Sequence, residues 1–156
     1  MLLAEALVLR AGQQSKLKEL GARIESNARV PEGSEPDEDP AALLETATAV
    51  ADELTRLIVR INRTNARTVA DEENGATVSD LIAERDQSDR MTRLLRAAAQ
   101  AGTRGAGRGY LSRDSEGTRS VLDVPALQKE ADRWAVRYRE LDVKLQRLNW
   151  STELIE

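Results

Sequence analysis

Polar side chains capable of chemistry interrupt stripes that otherwise read as apolar helix faces. Arg10 and Arg85 bring guanidinium groups, which recognise anions through charge-assisted hydrogen bonds. Asp89 and Asp142 bring carboxylates suited to Mg²⁺ or another hard divalent cation. Gln14, Asn62 and Asn65 bring amides, each costing about 1–3 kcal/mol if buried without a partner. Two arrangements follow from these residue types. One is a hydrogen-bonded polar layer that fixes helix register and partner choice at some cost in stability. The other is a polar pocket in which the arginines bind an anion or the aspartates hold a cation. No catalytic residue is assigned, and no cofactor is required.

The chain has 156 residues with no Cys and no His. Those absences remove disulfides, thiol nucleophiles, Cys/His zinc sites and imidazole acid–base catalysis. Hydrophobic residues make up 40%, charged residues 32% and aromatic residues 3%, with no Phe. Such a mixture fits a helical bundle built from Leu and Ala. A net charge of −4 argues against general nucleic-acid binding, which needs a basic footprint. The charge is nevertheless uneven: Glu32 to Glu53 holds eight acidic and no basic residues, whereas Arg90–Arg119 holds seven arginines against Asp114 and Glu116. No apolar run is long enough to span a membrane. Glu5 and Arg10 interrupt the apolar opening, so no signal peptide is read and a cytoplasmic location is expected.

Four helices must position these groups. The first is expected over Leu3–Asn27, with Leu3, Leu7, Leu17 and Ile24 at three-and-four spacing and Arg10 and Gln14 interrupting the seam. Residues 29–40 form an acidic, Pro-rich connector. Asp39 then caps a second helix with Pro40 at its first position. Its apolar arc runs from Leu43 and Leu44 to Ile61 and takes in Asn65, with Asn62 at the margin, while Arg56, Arg60, Arg63 and Arg67 fall opposite and face solvent. The DEENG run over Asp71–Gly75 reads as a turn. The third helix starts after Thr77, continues to about Gln100 and turns Arg85, Ser88, Asp89 and Thr92 toward the core. Residues 101–122 are a Gly- and Arg-rich connector in which Tyr110–Arg113 and Thr118–Leu122 form a short β-hairpin. A fourth helix follows Asp123, with Pro125 near its start. Val136 and Val143, seven apart on its other face, suggest a second contact surface, and Trp150 with Leu154–Ile155 folds back over the bundle end or meets a partner chain.

The expected architecture is all-α: one domain over 1–156, folded as an antiparallel up-down four-helix bundle with long helices. Threading the chain through that topology puts Arg10 and Gln14, Asn62 and Asn65, Arg85 and Asp89, and Asp142 near one end, within about 5–20 Å of it at 1.5 Å per residue.

Four runs carry a family resemblance: RINRTN at Arg60–Asn65, AERD at Ala83–Asp86, DVPALQKEADRWAVRYRELD at Asp123–Asp142 and LNWSTEL at Leu148–Leu154. In these the chain resembles the septicolysin-like family of small bacterial proteins, over nearly its whole length from the LAEAL opening. The resemblance implies an all-helical protein without an established activity, and through a cytolysin name attached to one member it raises a membrane-active toxin. It carries over no site residues.

The leading functional expectation is a non-enzymatic helical assembly or protein-interaction protein. It would be homo-oligomeric and would use exposed faces of the first and fourth helices. The alternative is a binder or hydrolase of a phosphorylated small molecule that uses the polar layer with a divalent cation. Binding of RNA through Arg90–Arg119 is disfavoured by the acidic total.

Overall fold

A computed structural model of the chain describes residues 1–103 and 120–156. Its elements are α1 (Leu3–Asn27), α2 (Pro40–Arg67), β1 (Val69–Asp71), β2 (Ala76–Thr77), α3 (Val78–Thr103) and α4 (Val124–Ser151). The chain divides into two compact units, Met1–Val78 with Gln146–Glu156 and Ser79–Leu145. Each is described by itself.

The helix starts follow from capping chemistry. Glu5 reaches back so that its carboxylate accepts from Leu2 N at 2.7 Å, anchoring the first turn of α1. Asp39 Oδ1 accepts from Ala41 N at 2.9 Å, with Pro40 opening α2. Asp123 Oδ1 accepts from Ala126 N at 3.0 Å at the start of α4. In each case a side-chain carboxylate meets a backbone donor at a helix start, where such donors otherwise lack a partner.

In the first unit α1 and α2 run antiparallel. Leu3 and Ala6 pack with Leu57, Ile61 and Leu154, and at the other end Leu20 packs with Leu43 and Val50. The C-terminal segment closes this unit as a short extended pairing with the N-terminus. Leu3 N donates to Thr152 O at 2.8 Å, and Leu154 N donates to Met1 O at 2.9 Å. Leu154 itself is buried among Leu3 and Ile61. Full burial of one such side chain contributes about 1.5–3 kcal/mol, so the tail is held by packing as well as by its backbone bonds.

Among the described residues a β-hairpin that the sequence reading did not expect lies between the second and third helices, with Val69 opposite Thr77 and Asp71 opposite Ala76. Asp71 Oδ1 accepts from Glu73 N at 3.1 Å, and Asn74 Oδ1 accepts from Ala76 N at 2.9 Å. Gly75 takes φ 71°, a left-handed value that glycine adopts without a side-chain clash. The DEENG run thus forms the turn read from the sequence, and the residues beside it pair as strands. The hairpin expected over Tyr110–Leu122 lies outside the described residues except for residues 120–122, which form no strand.

In the second unit Leu81, Leu95, Ala99, Ala131, Leu141 and Leu145 are buried. The ion pairs Arg85–Asp142 and Arg96–Asp132 run in opposite sequence order along α3 and α4, so the two helices are antiparallel here.

Candidate functional site

In the first unit Arg10 and Asn65 are half-buried, whereas Gln14 and Asn62 are exposed. The helix phase explains the difference. The side of α1 turned to α2 centres on Ala6, Leu17 and Leu20, so Gln13 rather than Gln14 lies against α2. Gln13 Nε2 donates to Glu53 at 3.4 Å. Arg10 Nε, Gln13 Oε1 and Asn65 Oδ1 are buried with no hydrogen-bond partner among the described residues. Because Leu3 and Ala6 lie beside Leu57 and Ile61, Asn65 stands at the start of α1 and Arg10 lies deeper along the pair. The structure does not bring these two together.

Sequence reasoning missed the buried polar residue of α2. Thr64 is fully buried; its hydroxyl donates to Arg60 O at 2.8 Å and accepts from Ile155 N at 3.0 Å. The available signal was its place seven residues after Leu57, in register with Leu43 and Val50. That repeat puts it at the centre of the buried stripe, while Asn65 falls to one side. Arg60, expected among the solvent-facing arginines, is half-buried and donates from Nε to Ile155 O at 3.1 Å.

In the second unit the structure does join two of the expected residues. Arg85 Nη1 lies 3.7 Å from Asp142 Oδ1. Arg85 also donates to its neighbour Asp86, from Nε at 3.1 Å and Nη2 at 2.8 Å. That hydrogen bond raises the guanidinium above its ordinary value, with burial opposing. A further cross-helix pair sets Arg137 Nη2 2.7 Å from Glu84 Oε2. Asp89 goes elsewhere, to Arg93 one turn along its own helix. The buried hydroxyls beside it are satisfied locally: Ser88 Oγ donates to Glu84 O at 2.9 Å and Thr92 Oγ1 to Ser88 O at 2.8 Å. The polar stretch of α3 is therefore taken up by its own backbone, by ion pairs within α3 and by ion pairs with α4. Among the described residues no three acidic, His or Cys side chains group as a cation would require.

The acidic connector carries one organised charge contact. Arg23 donates to the Glu38 carboxylate, from Nε at 2.9 Å, and Asn27 Oδ1 accepts from Glu38 N at 3.1 Å. The hydrogen bond from Arg23 holds the Glu38 carboxyl below its ordinary value. A depressed carboxylate contributes stability above the ordinary carboxylate range, and that contribution is lost as pH falls through the folded value. We expect Glu38→Gln to be slightly less stable than the native chain in denaturant at neutral pH. The gap should close in acid and shrink with added salt, because the pair is solvent-exposed.

The outer side of α4 is different in kind. Val136 is 44% exposed, Val143 50% and Trp150 61%, at a strict spacing of seven. Sequence reasoning found the two valines and did not continue the series to Trp150. A seven-residue apolar repeat keeps to one side of a helix, so these side chains form one outward line.

Residues 10–154 match the model of a family described as a family of unknown function, DUF6847. The crystal structure of a functionally unknown conserved protein from Corynebacterium diphtheriae is similar over 99% of this chain and 99% of its own, at 35% identity and a TM-score of 0.91. No curated protein matches. These findings overturn the septicolysin-like resemblance, for which neither comparison gives a link. The runs that carried it are amphipathic-helix sequence, a pattern set by helix geometry that unrelated helical proteins share. The toxin reading rested on that family name and falls with it. Among the described residues no helix is long and apolar enough to cross a membrane.

Proposed function

Starting from the fact that this chain belongs to the family of unknown function DUF6847, we propose that it is a non-enzymatic helical protein-interaction and assembly protein. The observation that carries this reading is the outward line Val136, Val143 and Trp150 on α4. Scattered exposed valines are ordinary, but three large apolar side chains at a spacing of seven keep to one side of the helix and give it a narrow apolar line on which a partner can pack. Trp is enriched among the residues that dominate interface energetics. On α1, Val8 at 69% and Leu9 at 45% exposure add a second outward apolar surface.

The polar residues take a structural role in this reading. Arg85 with Asp142, and Glu84 with Arg137, set the register of α3 against α4. Arg10, Gln14, Asn62, Asn65 and Asp89 surround the seams without taking part in chemistry. The test is the double variant Val136→Glu/Val143→Glu. Both sites are exposed, so folding stability should move by no more than about 0.5 kcal/mol, while association with any partner of this face is lost. Unchanged association in a folded double variant would contradict the reading.

A further inference from the structure

We propose that the outer face of α4 pairs antiparallel with the same face of a second copy of this chain, about a two-fold axis between Arg139 and Glu140. This rests on the interaction reading above and names its partner. At about 100° per residue, Asp132, Val136, Arg139, Glu140, Val143 and Arg147 fall within about 60° of one line along the helix. All six are exposed. Among the described residues Arg139, Glu140 and Arg147 have no ion-pair partner, and Asp132 meets Arg96 only at 3.8 Å, with both side chains more than half exposed.

The order of charges on this face is its own complement when reversed. With the axis between residues 139 and 140, Arg139 of one copy opposes Glu140 of the other, and the contact occurs twice. Val136 opposes Val143, again twice. Asp132 opposes Arg147, and Lys129 opposes Trp150, where an ammonium over an indole face is favourable. An isologous interface requires such self-complementarity. From Lys129 to Trp150 the face extends about 32 Å at 1.5 Å per residue.

Alternative pairings of the same face are penalised by like charges. A parallel pair sets Arg139 against Arg139 and Glu140 against Glu140. Moving the axis to Val143 sets Arg139 against Arg147. Moving it to Val136 sets Asp132 against Glu140. The charges thus select one direction and one register from those the valines alone would allow.

The chain contains no cysteine, so introduced thiols report without interference. Val136→Cys and Val143→Cys proteins, mixed and oxidised, should give a disulfide-linked heterodimer. Each alone should not, because like positions lie about 10 Å apart along the axis, beyond disulfide reach. Arg139→Glu and Glu140→Arg should each raise the dimer dissociation constant about tenfold, and the double variant Arg139→Glu/Glu140→Arg should restore it. Cross-linking of Val136→Cys with itself, or no rescue by the double variant, would overturn the antiparallel register. A monomer at all concentrations that binds a different protein through Val143 would overturn self-pairing and leave the interaction reading standing. A monomer with no binding dependent on Val136 or Val143 would remove both.

Discussion

Replacing Ile61 with alanine lowers the unfolding free energy by about 2–5 kcal/mol, the range for truncating a large aliphatic side chain in a packed core. Ile61 is 1% exposed and packs with Leu3, Ala6, Leu57 and Leu154, where α1, α2 and the C-terminal tail meet. The cavity cannot be filled from one side, since Leu3 and Leu154 are held in place by the backbone bonds between Met1, Leu3, Thr152 and Leu154. Denaturant unfolding of the purified variant provides the measurement. A loss no larger than that of a surface substitution would mean that the three segments do not share this core.

Thr64→Val has the second-largest expected effect. The substitution keeps the shape and removes one hydroxyl, so packing changes little while Ile155 N loses its acceptor. A fully buried donor left unpaired costs about 1–3 kcal/mol, and this part-buried amide should cost toward the lower end of that range. Thr64→Ser keeps the acceptor and should recover part of that loss. Hydrogen exchange separates this from a general packing defect: the Ile155 amide should exchange faster in Thr64→Val than in Thr64→Ser. Because Ile61 and Thr64 hold the same tail from neighbouring turns, their effects should not add.

The helices were legible because their signals are local. Asp39 before Pro40 and Asp123 before Pro125 mark helix starts through chemistry written within four residues, and those two helices begin at Pro40 and Val124. What one residue of phase decides was harder to read. Gln14 was placed on the seam of α1 where Gln13 lies, and Asn65 was favoured on α2 where the Leu43–Val50–Leu57 repeat leads to Thr64. A single step rotates a side chain by about 100°, enough to carry it from a packed face to solvent. The tail contacts of Thr64 and Arg60 join residues more than 90 positions apart in the chain, and no local pattern encodes them. The sequence put Arg85 and Asp142 at similar heights of the expected bundle without pairing them, and in the structure Arg85 Nη1 lies 3.7 Å from Asp142 Oδ1.

The outer face of α4 was half legible for a similar reason. Val136 and Val143 stand out by spacing, whereas the meaning of Arg139, Glu140 and Arg147 depends on knowing that they share that face and lack partners among the described residues. Charged side chains on a helix surface are usually solvated singly, and one such pair is worth little. Their weight here comes from ordering on both sides of a two-fold axis, where every contact is made twice.

The most direct test of the α4 interface is the mass of the native chain in solution, measured by sedimentation velocity across a dilution series. Self-pairing gives twice the 17.2 kDa chain mass at high concentration, falling toward the monomer on dilution. A single species at the monomer mass throughout, with Trp150 and both valines unaltered, would contradict self-association through this face.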